Sequence, residues 1–137
     1  MARILAIDFG LKRTGIAVTD PLKIIATGLQ TVESSQLLHF LSDYFKKEEV
    51  ECIVVGDPKN LDNTPSEISK EVEMLVEELK EKFPHKKIKK IDERFTSRMA
   101  QQVIYHSGLK KKDRRDKSLI DKISAVLILQ TYLDSQQ

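Results

Sequence analysis

Residues 52–55, Cys-Ile-Val-Val, make an unbroken apolar run closed by Gly56. As a strand, this segment has no polar face to turn to water, so it has to be covered on both sides. Its neighbours in the chain can supply the covers. Leu37, Leu38, Leu41, Tyr44 and Phe45 before it recur at helical spacing, as do Ile68, Val72, Leu75, Val76, Leu79 and Phe83 after it. A buried strand between two amphipathic helices implies crossover connections within one sheet, with helices laid on its faces.

The preceding residues follow another pattern. Ile4–Ile7 form an apolar run that ends at Asp8 and is closed by Gly10, and "GIAVTD" (15–20) follows after a short, glycine-bounded link. That spacing predicts an antiparallel hairpin. "KIIATGLQTV" (23–32) adds a third strand after Asp20-Pro21. Beyond the second helix, Pro84 breaks the pattern, and Ile88 and Ile91 mark a fifth strand ending near Asp92 and Glu93. A third helix is expected over residues 96–107, stopped by Gly108. A basic loop follows, and a final helix over residues 118–133 is apolar nearly all round. The expected class is α/β: a mixed five-stranded sheet in the order βββαβαβα plus an extra helix, with helices on both faces, as a single domain over residues 1–137.

At 137 residues with 40% hydrophobic content the chain can build its own core. Cys52, the one cysteine, allows no internal disulfide and reads as a small buried hydrophobe, which fits a reducing, cytoplasmic setting. Met1 leads directly into the first strand, so no secretory leader is expected. No apolar run approaches the roughly 18 residues of a membrane span.

Three acids stand out by position. Asp8 ends the first strand, Glu93 ends the fifth, and Asp121 lies in the first turn of the last helix. Sites in open α/β sheets gather outside strand ends, so these three are candidates to converge. Each also has a plain structural use: Asp8 as a turn cap, Glu93 as a partner for Arg94 or Lys90, and Asp121 as the acid of a Ser118-x-x-Asp121 helix start. Three converging carboxylates repel one another unless a cation sits among them. Hard oxygen donors suit Mg²⁺ or Mn²⁺, and a pair of such ions serves phosphodiester hydrolysis.

The charge distribution points to the same chemistry. Net charge is only +2, yet residues 86–117 hold 12 Lys or Arg against 4 Asp or Glu, which leaves the rest of the chain acidic. Such asymmetry predicts a face for a polyanion. Arg13, Arg94, Arg98, Lys110, Lys111, Lys112, Arg114, Arg115 and Lys117 are the candidate phosphate ligands, with Thr96 and Ser97 as further hydrogen-bond donors.

Four segments, taken in order, resemble the YqgF/RuvX family. "DFGLKRTGIAVTD" (8–20) is similar to its opening motif D-x-G-x-x-R-x-G-x-A-x-x-D. "GDPKNLDNTPSE" (56–67) resembles its G-x-P segment, "DERFTS" (92–97) its D-E-R-[FL]-[TS]-[TS] stretch, and "DKISAVLILQTYL" (121–133) its last helix. The resemblance spans almost the whole chain. It implies an RNase H-like fold and a nuclease of pre-16S rRNA 5′-end maturation, with Holliday junction resolution as an alternative. On it, Asp8, Glu93 and Asp121 fall on the acidic triad, and Arg13 and Arg94 on basic motif positions. Asp57, Asn63 and Ser124 depart from the usual apolar residue, glycine and alanine.

The expected partners are structured precursor rRNA or branched DNA, and ribosomal precursor particles, met by a monomer or weak homodimer away from membranes. A non-catalytic nucleic-acid-binding module would keep the basic face without the metal. The opening motif is also similar to the phosphate-binding start of actin-like and sugar-kinase ATPases, but those clamp nucleotide between two domains and this length supplies one.

Overall fold

The computed structural model describes residues 2–57, 68–92 and 117–136. Over these, β1 (Arg3–Phe9), β2 (Arg13–Thr19) and β3 (Ala26–Glu33) precede a short 3-10 turn at Ser34–Gln36 and helix α1 (Leu37–Lys47). Then come β4 (Val50–Asp57), α2 (Ser69–Lys82), β5 (Lys87–Asp92) and the closing helix α3 (Lys117–Ser135). The third helix expected over 96–107, the G-x-P segment beyond Asp57 and the basic loop lie outside the described residues.

The five strands form one sheet in the order β3-β2-β1-β4-β5. β1 pairs antiparallel with β2, and β2 with β3, whereas β4 is parallel to both β1 and β5. This is the mixed sheet expected of an RNase H-like α/β fold. The meander contributes its antiparallel half and the two helical crossovers its parallel half.

Strand alternation sorts the side chains into two cores. Leu5, Ile7, Ile16, Val18, Ile53 and Val55 meet Leu37 and Leu41 of α1 and Val72, Leu75 and Leu79 of α2. Ile4, Ala6, Ala17, Cys52 and Val54 face the other way, against Ala125, Ile128, Leu129 and Leu133 of α3. Residues 52–55 therefore serve both cores, which explains why none of them is polar. The second core is built partly on small residues, Ala6 and Ala17 of the sheet and Ala125 of α3, so α3 lies close to the sheet.

One boundary differs from expectation. Lys23, Ile24 and Ile25 do not start β3. The Asp20 carboxylate accepts hydrogen bonds from the amides of Ile24 and Ile25, each at 2.8 Å, and of Leu22 at 3.2 Å. Amides bound this way are withdrawn from a strand ladder. Lys23 takes a left-handed conformation, φ 61°, to complete the turn.

Candidate active site

Asp8 lies at the end of β1, half-buried, on the face that α3 covers: its strand neighbours Ile4 and Ala6 belong to that core. Its cross-strand partner in β2 is Gly15. Gly15 is where the last helix arrives. A Cβ at Gly15 would stand 2.0 Å from the Asp121 carbonyl oxygen and 3.0 Å from the Lys122 nitrogen. The first turns of α3 therefore rest with their backbone in the notch left by a missing side chain, directly across from Asp8. A glycine inside a strand often marks such a close approach.

Arg13, two residues before Gly15 and on the same face, completes the local arrangement. Its Nε donates to Asp121 Oδ2 at 3.1 Å, across 108 residues of sequence. Both partners are partly exposed, so the pair orients the two side chains more than it stabilises the fold. The guanidinium has five N–H donors and this bond uses one.

Ser34 secures the hairpin that carries Asp8 and Arg13. Its amide donates to Lys12 O at 2.9 Å, its hydroxyl donates to Gly10 O, and its Oγ lies 2.8 Å from Thr14 Oγ1. Gly10 has a different role from Gly15: a Cβ there would meet Arg13 O at 2.6 Å, so Gly10 allows the turn itself.

On the sheet's other half, β5 ends at Asp92, one residue before Glu93. β5 lies two strand spacings from β1, about 10 Å across the sheet. Asp57 and Asp92 stand opposite one another at the ends of β4 and β5. Alternation from Val55, in the α1/α2 core, puts them on the face away from Asp8.

Of the sequence candidates, the structure thus brings together Asp8, Arg13 and Asp121. Glu93, Arg94, Thr96, Ser97, Arg98, Lys110, Lys111, Lys112, Arg114 and Arg115 lie outside the described residues, and Lys117 opens α3 without a described side chain. Among the described residues no three acidic, histidine or cysteine side chains cluster as metal ligands. Asp8 and Asp121 are two hard oxygen donors on one face, which is the donor chemistry a divalent cation takes. Gly15 and Ser34 are positioning residues that the sequence did not single out for these tasks.

Cys52 is buried, and burial pushes its thiol up from its ordinary value, so it is a core residue and not a nucleophile.

Comparison with known proteins places the whole chain in a family. A family model described as "RuvX: Holliday junction resolvase" matches residues 2–135. The chain belongs to the RuvX family. A relative from Christiangramia forsetii, named "Putative pre-16S rRNA nuclease", is 56% identical over 97% of this chain and 98% of its own length. One of the same name from Bacteroides thetaiotaomicron is 52% identical over 100% of this chain and 99% of its own. Among solved structures, YeaZ from Pseudomonas aeruginosa is similar at a TM-score of 0.47 and 14% identity, over 79% of this chain and 50% of that one.

Proposed function

We propose that this RuvX-family chain is a metal-dependent endonuclease that matures the 5′ end of precursor 16S rRNA in the cytoplasm, on structured RNA or ribosomal precursor particles. The observation that carries the reading is the seating of Asp121 on Gly15, across from Asp8. It joins acids from the first strand and the last helix at one strand end, in a chain whose full-length relatives bear a pre-16S rRNA nuclease name.

Asp8, Glu93 and Asp121 would hold Mg²⁺ or Mn²⁺. When bound, the metal lowers the pKa of an attacking water and stabilises the departing oxygen of the phosphodiester. The chain's own residues set the geometry. Asp8 is held by a sheet strand paired on both sides, and Asp121 by the Arg13 bond and the Gly15 notch. Arg13 keeps donors that can take a phosphate oxygen beside the acids. The basic residues after β5 hold the rest of the backbone by charge, without reading sequence.

Purified protein with Mg²⁺ or Mn²⁺ is expected to cut a precursor rRNA fragment, and Asp8→Asn to slow cleavage by at least about 100-fold, a barrier change of about 2.7 kcal/mol, while still folding. An Asp8→Asn protein as fast as the parent removes Asp8 from the chemistry. The family model's own description motivates one comparison in the same assay, a four-way DNA junction at matched salt. Preferred cutting of the junction would replace the rRNA reading with junction resolution.

A further inference from the structure

Four lysines lie in or beside β5, and their surroundings differ. Lys86 Nζ donates to the Val50 carbonyl at 2.6 Å and stands 4.3 Å from the centre of the Phe45 ring. Lys90 is bonded to Glu73 of α2, which raises its pKa, with Asp57 adding to the effect. These two cations are committed to the protein. Lys87 and Lys89 are exposed, and among the described residues neither side chain makes an ion pair or a hydrogen bond.

The sheet register decides which way the uncommitted pair faces. Lys87 is in register with Cys52 and Lys89 with Val54. Both of those side chains belong to the core under α3. Lys87 and Lys89 therefore share the face that carries Asp8, Arg13 and Asp121, whereas Lys90 is in register with Val55 on the α1/α2 face. β5 is an edge strand and α3 packs mainly over β1, β2 and β3, reaching Lys87 only along the rim of a cleft.

Lysine on an edge strand also guards against pairing with another chain. That role is filled by charge on either face, and it does not require the unpaired lysines to lie on the acidic-site face. Their spacing along the strand is about 6.6 Å, and Lys89 is about 10 Å short of Asp92 at the active end. Lys87 also lines a cleft of about 460 Å³ at the opposite end of the sheet, whose walls include Lys23, ion-paired there with Glu51, and Gln130 and Tyr132. The row thus leads from the acids toward a concave surface of mixed polar and apolar lining.

We propose that Lys89 and Lys87 form a phosphate track for a single-stranded flank of the RNA substrate, which leaves the acidic end and runs along β5 toward this cleft. The track rests on the nuclease reading and adds the path of the substrate. It acts through charge on the sugar-phosphate backbone and is indifferent to sequence.

The test measures binding of a stem-loop RNA with a single-stranded extension to the full chain, in chelator, across a salt series. Each phosphate contact on a single strand contributes about 0.7 to the slope of log affinity against log salt. The K87Q/K89Q variant is expected to lower that slope by about 1.4, with an unchanged melting temperature. K90Q should leave the slope as in the parent, and removal of the extension from the RNA should abolish the difference between parent and K87Q/K89Q. An unchanged slope in K87Q/K89Q, an equal loss in K90Q, or a parent that does not bind the RNA overturns the track. Loss of cleavage without loss of binding bears only on the nuclease reading, because binding is measured without metal.

Discussion

Gly15→Ala is the most demanding perturbation of this arrangement. The glycine has no positive φ to protect, so its necessity is one of space. An alanine methyl would fall 2.0 Å from Asp121 O and 2.4 Å from Asp121 C, and both are backbone atoms of a helix. Ordinary contact begins near 3.4 Å, so the start of α3 has to retreat by about 1.4 Å. Ile128, Leu129 and Leu133 hold the later turns in the core, and the helix therefore tilts at its first turn. Overpacking of this kind costs about 1–3 kcal/mol. The same movement should displace Asp121 relative to Arg13 and lengthen the 3.1 Å bond between them. A displacement near 1 Å at a catalytic group can cost about 100-fold in rate. The assay pairs a thermal melt with the initial rate of precursor rRNA cleavage in excess metal. Gly28→Ala is the matched control: its Cβ would meet the Lys122 side chain, at 2.7 Å from Cγ, and a flexible stem can move aside. Gly28→Ala should change stability by less than about 1 kcal/mol and leave the rate intact. Parental stability and rate in Gly15→Ala would refute the notch as the device that positions Asp121.

Two further predictions concern stability. Ser124 is 1% exposed, and its hydroxyl has no hydrogen-bond partner among the described residues. Ser124→Ala should stabilise the fold by about 1 kcal/mol, since a buried unsatisfied hydroxyl is removed with little change in volume; a lower melting temperature would show that the hydroxyl is satisfied. The Asp20 carboxyl is held below its ordinary value of 3.8, first by the Ile25 amide and also by those of Ile24 and Leu22. A depressed carboxyl contributes to the folded loop above its unfolded pKa and loses that contribution as pH falls through the folded one. The amide resonances of Ile24 and Ile25 should therefore titrate with a midpoint below 3.8; a midpoint above 3.8 contradicts the assigned bonds.

Much of the framework was legible because it depends on period. The switch from alternating to helical spacing marks β1 to α2, and the solid apolar run at 52–55 identifies a strand that serves two cores. The misplaced start of β3 has a local cause: Ile24 and Ile25 have strand-like side chains, but their amides belong to Asp20. Gly15 looked like part of a tight turn because the helix that fills its notch arrives more than 100 residues later. Asp121 fits a Ser118-x-x-Asp121 helix start on local grounds, yet α3 already includes Lys117 and the carboxylate is taken by Arg13. In both cases the deciding partner is distant in sequence, and no window of local pattern contains it. The acids at strand ends were visible as types and positions; that Asp8 and Asp121 meet over a glycine was not.

The bond between Arg13 and Asp121 spans 108 residues, and it has a consequence for the chain while it is being made. Translation releases the hairpin first, and β1 to β5 can pair before α3 exists. During that interval Asp8 has no opposite acid and the Gly15 notch is open. The corner formed by Asp8, Gly15 and Asp121 is therefore assembled only when α3 docks, after the strands that receive it have been made.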